Sequence, residues 1–102
     1  LYASYLNRIR RLVNFYWSQN LDNLPSGVKL AKPRYTTTVE AVLDRDGNLE
    51  LVVVSATSNS PELDGAVTAA FRVAGPFPNP PEGLIERDGR VYLPPMSFTV
   101  IL

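Results

Sequence analysis

The sequence predicts an α+β domain in which two helices pack on one face of a three-stranded antiparallel sheet. Three observations support this fold class: an amphipathic stripe at the start of the chain, two alternating segments joined by an Asp-Gly turn, and a second amphipathic segment followed by a last alternating one. The predicted chain order is therefore α-β-β-α-β. A hairpin followed by a helical crossover brings the last strand beside the first, which gives the strand order 2-1-3.

The first helix is predicted over "LYASYLNRIRRLVNFYW", residues 1–17. Its apolar side chains recur at helical spacing, at Tyr2, Tyr5, Leu6, Ile9, Val13 and Tyr16 or Trp17. After Trp17 the segment "SQNLDNLPSGVKLAKP" loses this period and contains turn residues. We therefore expect the helix to end near Trp17 and a connection to follow it.

Two strands are predicted on either side of the turn "DRDGN", residues 44–48. The first strand, "RYTTTVEAVL", alternates so that one face carries Tyr35, Thr37, Val39, Ala41 and Leu43. The second strand, "LELVVVS", is expected to place on one face Leu49, Leu51 and Val53. The aspartates also suggest a calcium loop, but Ser55 stands where an EF-hand that starts at Asp44 needs its bidentate glutamate. A hairpin turn is the better interpretation.

The second helix is predicted to begin after Ser60, with Pro61 at its first position and Gly75 at its end. Its apolar stripe consists of Leu63, Ala66, Val67, Ala70, Phe71 and Ala74. The segment "AGPFPNPPEGL", residues 74–84, contains four prolines and is expected to form a stiff, extended strap. We expect the Phe77 ring to fill the end of the core, with a polyproline ligand for an SH3- or WW-type partner as the alternative.

Composition restricts the function. With 102 residues, of which 45% are hydrophobic, the chain 1–102 is expected to be one domain, and its start at Leu1 rather than Met suggests a fragment of a longer protein. Ten basic and ten acidic residues cancel, so we expect no nucleic-acid partner. Histidine and cysteine are absent, which removes disulfides, the usual general base and the commonest metal ligand.

Catalysis would therefore depend on carboxylates. The aspartates considered for such a role are Asp44, Asp46, Asp64 and Asp88. Three of them lie in predicted turns and one lies at a predicted helix start, where acidic residues normally serve local geometry. We predict no catalytic, cofactor-binding or metal-binding residue, no cofactor and no small-molecule substrate.

The stretch "ATSNSPELDGAVTAAFRVAGPFPNPPEGL" resembles the C-terminal domain of the TonB and TolA energy-transducing proteins, in which an "LD" helix precedes a "PFPxPP" strap. The helix "YLNRIRR…FYW", the hairpin "DRDGNLELVVV" and the closing "LPPMSFTVIL" agree with the family in order, so the resemblance covers nearly the whole chain. The chain lacks the family's Tyr-Pro pair before the first strand and its "WxYxP"-like segment. These departures place it closer to TolA or to a divergent TonB-like branch.

This resemblance implies a non-enzymatic periplasmic domain, tethered to the inner membrane through an N-terminal region outside this chain. Such a domain transmits work driven by the proton motive force from an inner-membrane motor complex to an outer-membrane or periplasmic partner. It binds its partner by β-strand addition. The alternative is a related domain of another envelope-spanning machine, in gliding motility or in envelope integrity during division.

The final strand is predicted over "SFTVIL", with Phe98, Val100 and Leu102 on the core face and Thr99 and Ile101 opposite. A three-stranded sheet has two edges, and no later segment of the chain covers this one. The predicted partner-binding residues are therefore Ser97, Phe98, Thr99, Val100, Ile101 and Leu102. The second strand, "LELVVVS", is the alternative edge.

Overall fold

A computed structural model describes residues 2–102, and its elements follow the predicted order. They are α1 (Tyr2–Asp22), β1 (Arg34–Leu43), β2 (Leu49–Ala56), α2 (Pro61–Ala74), a 3-10 turn (Glu82–Leu84), β3 (Val91–Tyr92) and β4 (Met96–Ile101). The α+β class and the α-β-β-α-β order are confirmed. A short additional strand, β3, precedes the last predicted strand, which is β4. Leu93, Pro94 and Pro95 separate the two strands.

The sheet is antiparallel, with β1 at its centre. β2 pairs with one side of β1, and β3 and β4 follow one another along the other side. Because β3 and β4 both pair with this side of β1, together they occupy the third position in the predicted strand order 2-1-3. Pro94 and Pro95 explain the interruption, because proline has no N–H to donate to a ladder.

Helix α1 is longer than predicted, since it ends at Asp22 rather than near Trp17. No proline interrupts the chain before Pro25. The Nδ2 of Asn20 donates to the carbonyl oxygen of Ala66 over 2.9 Å and so fastens the last turn of α1 to α2. A polar contact of this kind adds no apolar residue to the helical pattern. The pattern therefore predicted an end of α1 that is too early.

The predicted face of β2 is wrong. Leu49, Val52 and Val54 pack against the core, whereas Leu51 and Val53 are exposed by 52% and 43%. The register explains this: Leu43 lies opposite Leu49 and Val42 lies opposite Leu51, so Glu50 is an additional residue in the strand. Such a bulge reverses the alternation between the two faces of a strand.

The core lies between the helices and one face of the sheet, and α2 starts as predicted. The Oγ of Ser60 accepts a hydrogen bond from the Leu63 amide over 3.3 Å, and Pro61 occupies the first turn. The five residues predicted to share one face of β1 are all buried: Tyr35, Thr37, Val39, Ala41 and Leu43. The helices contribute Tyr5, Ile9, Val13, Val67, Ala70 and Phe71.

The proline strap closes one end of this core. Phe77 is 1% exposed, which confirms the prediction that its ring fills the core. Its amide donates to the Gly47 carbonyl over 2.8 Å, and its carbonyl accepts from the Tyr5 hydroxyl over 2.6 Å. Asn79 has a φ of 61°, so the strap turns there and is not one extended polyproline helix. This geometry disfavours the SH3- or WW-ligand alternative.

Candidate functional site

The candidate site is the outer edge of β4. One side of this strand pairs with β1 over six residue pairs, from Arg34–Ile101 to Val39–Met96. Within residues 2–102, no strand pairs with its other side. Phe98 is buried as predicted, but Leu102 is 62% exposed and follows the end of the strand, so its predicted place on the core face is wrong. Tyr35 is the first buried residue of β1, and Leu102 lies beyond it, opposite Pro33.

The register determines which main-chain groups of β4 are free. The Leu102 amide donates to the Pro33 carbonyl over 2.9 Å, so it points toward β1. Because amide directions alternate along a strand, the amides of Phe98 and Val100 also point toward β1. The N–H and C=O groups of Ser97, Thr99 and Ile101 therefore point outward, where they form a row of donors and acceptors at the edge.

Side chains on both faces hold this edge in place. On the solvent face, the Thr99 and Thr36 hydroxyls share a hydrogen bond of 3.0 Å, and those of Ser97 and Thr38 share one of 2.8 Å. On the core face, the half-buried Trp17 ring packs edge-on against Phe98, with the ring centroids 5.3 Å apart. The edge is thus supported by hydroxyl pairs on one face and an aromatic pair on the other.

Sequence reasoning missed three of the residues that support this edge, Thr36, Thr38 and Trp17. The run "TTT" at residues 36–38 was a usable signal, because cross-strand hydroxyl pairs need threonine or serine at alternate positions of neighbouring strands. The sequence gives no signal for the contact between Trp17 and Phe98, because the two residues lie 81 positions apart (98 minus 17).

The edge of β2 is less suited to pairing with another chain. β2 contains two irregularities in eight residues: Glu50 is extra between the Val42 and Leu43 pairs, and Ser55 is extra between the Thr38 and Val39 pairs. Bulges interrupt a ladder and twist the strand, and proteins use them to protect edges. β4 pairs with β1 without any such shift. The geometry therefore favours β4 over the alternative edge.

Two open hollows lie near β2. One, of about 320 Å³, is lined by Leu49, Glu50, Leu51, Val52 and Arg72. The other, of about 510 Å³, is lined by Val42, Glu50, Leu51, Arg90 and Tyr92. In the second, the Nε of Arg90 donates to Glu50 over 2.7 Å, and the Tyr92 hydroxyl donates to Asp88. The polar side chains of Glu50, Arg90 and Tyr92 in this hollow are therefore already hydrogen-bonded within the protein.

The aspartates serve local structure where their contacts are defined. Asp44 accepts from the amides of Asp46 and Asn48, both over 2.9 Å, and hydrogen bonds from Asn48 hold the pKa of Asp44 below its ordinary value. Hydrogen bonds from the Tyr92 hydroxyl and then the Arg90 amide lower the pKa of Asp88 in the same way. Both carboxylates stabilise turns, as a structural role predicts.

Asp64 joins three parts of the fold. Its carboxylate accepts from the hydroxyls of Thr37 at 2.8 Å and Ser58 at 2.7 Å, from the Ser58 amide at 3.0 Å, and from the Thr57 hydroxyl. Desolvation is the largest single influence on the pKa of Asp64 and raises it, but the hydrogen bonds from Thr57, Ser58 and Thr37 together lower it below its ordinary value. Asp64 is therefore a charged anchor between β1, the preceding loop and α2.

In residues 2–102, no group of three or more acidic side chains is arranged to hold a metal ion. In the same part of the chain, no helix has the length and apolar character needed to cross a membrane.

A protein-family model described as "TonB C terminal" matches residues 2–94, which is most of the chain. No curated protein matches the chain, and no solved structure matches it.

Proposed function

The chain belongs to the TonB C-terminal family, and on that basis we propose that it is a non-enzymatic domain that transmits mechanical work in the cell envelope. Domains of this family are periplasmic and interact with outer-membrane proteins. The proposed work is driven by the proton motive force at an inner-membrane motor complex. It passes through this domain to an outer-membrane or periplasmic partner.

The observation that carries the proposal is the open, regular edge of β4. A partner segment added as a further strand would bond to the main chain of Ser97, Thr99 and Ile101, while Phe98 and Val100 hold β4 to β1 and the core. Leu102, exposed just past the strand, completes the proposed binding segment 97–102. Main-chain hydrogen bonds would supply affinity, and neighbouring side chains would supply specificity.

The proposal also includes parts of the protein that lie outside this chain. An N-terminal region outside residues 1–102 would tether the domain to the inner membrane, and 1–102 would act as one folded unit. The same mechanics would serve a related envelope-spanning machine in gliding motility or in division. The genes beside this one and the sequence of the tether would distinguish these roles.

Two single prolines test the edge. Thr99→Pro removes an outward N–H, so we expect the domain to fold and to lose at least about tenfold in partner affinity. Val100→Pro removes an N–H that points toward β1, so we expect it to unfold the domain. Circular dichroism measures folding in both variants.

Binding is measured by quantitative capture from an envelope extract, with the partner identified by mass spectrometry. Thr99→Ala is the matched control, because it removes the hydroxyl pair with Thr36 and keeps the N–H. An outer-membrane protein retained by Thr99→Ala and lost by Thr99→Pro supports the proposal. Equal capture by the wild type and a folded Thr99→Pro variant would show that β4 is not the binding edge, and β2 would become the candidate.

A further inference from the structure

We propose that the partner segment pairing with β4 carries carboxylate side chains at the end that lies beside Ile101. There they would meet a basic cluster formed by Lys29, Lys32 and Arg34. This inference rests on the proposed strand addition at β4 and names the chemistry of the segment that is added.

The fold places the basic cluster at one end of the edge. Arg34 lies directly opposite Ile101 in the β1–β4 register, and the Leu102 amide bonds to Pro33. The segment just before it is also fixed, because the amides of Ala31 and Lys32 donate to the Tyr35 hydroxyl over 2.9 and 3.0 Å. The backbone from Ala31 to Arg34 therefore passes the Ile101 end of β4 in a defined position, and Lys29 precedes it by two residues.

The three side chains of the cluster form no ion pair within residues 2–102. Lys29, Lys32 and Arg34 are all exposed. No aspartate or glutamate occurs between Asp22 and Glu40 in the sequence, and the ion pairs found within residues 2–102 involve Arg90 alone among the basic side chains. A chain with no net charge therefore has a locally positive region beside its open edge.

The other end of the edge has a different character. Beyond Met96 the chain leads through Pro95 and Pro94 to β3, where Arg90 is paired with Glu50 and Asp88. Charges of both signs neutralise one another there. One end of the edge is therefore positive and the other carries paired charges of both signs. This difference gives an incoming charged strand a preferred orientation.

The distances suit such an interaction. Neighbouring strands lie about 4.8 Å apart, so a strand added to β4 would run about 10 Å from β1, roughly one Debye length at 0.1 M salt. Arg34 can therefore act on it across Ile101. Exposed charge pairs are individually weak, so we expect the three cations together to change affinity about fivefold to tenfold and to do so in a salt-dependent way.

The test uses a display library of random eight-residue peptides, selected on the whole chain 1–102. Four proteins are compared: the wild type, a variant with Lys29→Gln, Lys32→Gln and Arg34→Gln, a control with Arg10→Gln, Arg11→Gln and Arg87→Gln, and Thr99→Pro. The control removes the same charge from exposed arginines elsewhere on the surface.

We expect the wild type and the control to select strand-forming peptides with aspartate or glutamate grouped at one end. The cluster variant should select strand-forming peptides without this acidic bias. A synthetic peptide selected on the wild type should bind the cluster variant about fivefold to tenfold more weakly at 50 mM NaCl and nearly equally at 500 mM. Acidic residues that are not enriched, that occur at both ends, or that persist with the cluster variant would overturn the proposal.

The Thr99→Pro protein separates this proposal from the proposed function. Strand-forming peptides that need an intact Thr99 amide but show no acidic bias would refute the role of the cluster alone. Acidic peptides selected equally well by Thr99→Pro would refute strand addition at β4, and this proposal with it. The same holds if no peptide is enriched on the wild type over the empty support.

Discussion

Phe77→Ala tests whether the proline strap is a structural part of the core. The ring is 1% exposed, and three hydrogen bonds fix the strap around it: Phe77 to Gly47 at 2.8 Å, Tyr5 to Phe77 at 2.6 Å and Arg8 to Pro78 at 2.6 Å. These bonds use main-chain groups of the strap, so they remain after the side chain is removed. The strap therefore cannot easily move inward to refill the space.

The expected loss follows from that geometry. An unrelaxed cavity of about 100 Å³ costs about 2.4 kcal/mol at 24 cal/mol per Å³, in addition to about 2 kcal/mol of lost transfer free energy. The sum, about 4 kcal/mol, lies within the range of about 3–5 kcal/mol usual for Phe→Ala in a core. In a domain of this size it lowers Tm by roughly 15–30 °C.

Urea unfolding followed by the fluorescence of the single tryptophan, Trp17, measures this loss, with circular dichroism as a second probe. Asn79→Gly is the control, because glycine accepts the φ of 61° at that position and removes no core side chain. We expect the control to stay within about 1 kcal/mol of the wild type. An unchanged urea midpoint in Phe77→Ala, combined with lost partner binding, would show that the ring is a contact surface and not part of the core.

Two further substitutions test the contacts around the strap and α2. Gly47→Ala should destabilise the domain by about 2–4 kcal/mol in urea, because φ is +89° and the new Cβ would lie 1.9 Å from the Phe77 carbonyl oxygen; Gly27→Ala, with open space around it, should be nearly neutral, and equal effects would contradict the argument. Asp64→Asn should cost about 2 kcal/mol at pH 7. Since the folded-state pKa of Asp64 is lowered, its contribution is complete above the ordinary value of 3.8 and is lost as pH falls through the folded value. The variant should therefore lose less stability on acidification than the wild type, and the remaining loss should come from the turn carboxylates Asp44 and Asp88. A dependence of stability on pH that equals that of the wild type would refute this role of Asp64.

Elements with local signals were predictable from the sequence. Ser60 and Pro61 start α2 through interactions within one turn, and hydrogen bonds within residues 44–48 form the Asp-Gly turn. The alternation of β1 was also correct, because a central strand with one face on the core has a strongly specified register. These features need no knowledge of distant contacts.

The features that were missed depend on distant partners. The last turn of α1 is held by Asn20 on Ala66, 46 positions away. The bulges at Glu50 and Ser55 arise only when β2 pairs with β1, and neither residue type marks a bulge by itself. The candidate edge could be found by counting strands, but the outward direction of the Thr99 amide required the Leu102–Pro33 hydrogen bond.

The two edges of the sheet also differ in how they would carry a load. A force applied to an added strand reaches the domain through β4, whose six pairs with β1 contain no register shift, so the main-chain hydrogen bonds can share it. From β1 it passes into the core, and the Trp17–Phe98 contact links β4 directly to α1. A force applied at β2 would meet the bulges at Glu50 and Ser55 first, where the ladder is interrupted and single bonds bear more of the load. The regular edge is therefore better suited to bear a load, and this is a mechanical argument, independent of edge exposure, for the proposed binding of the partner at β4.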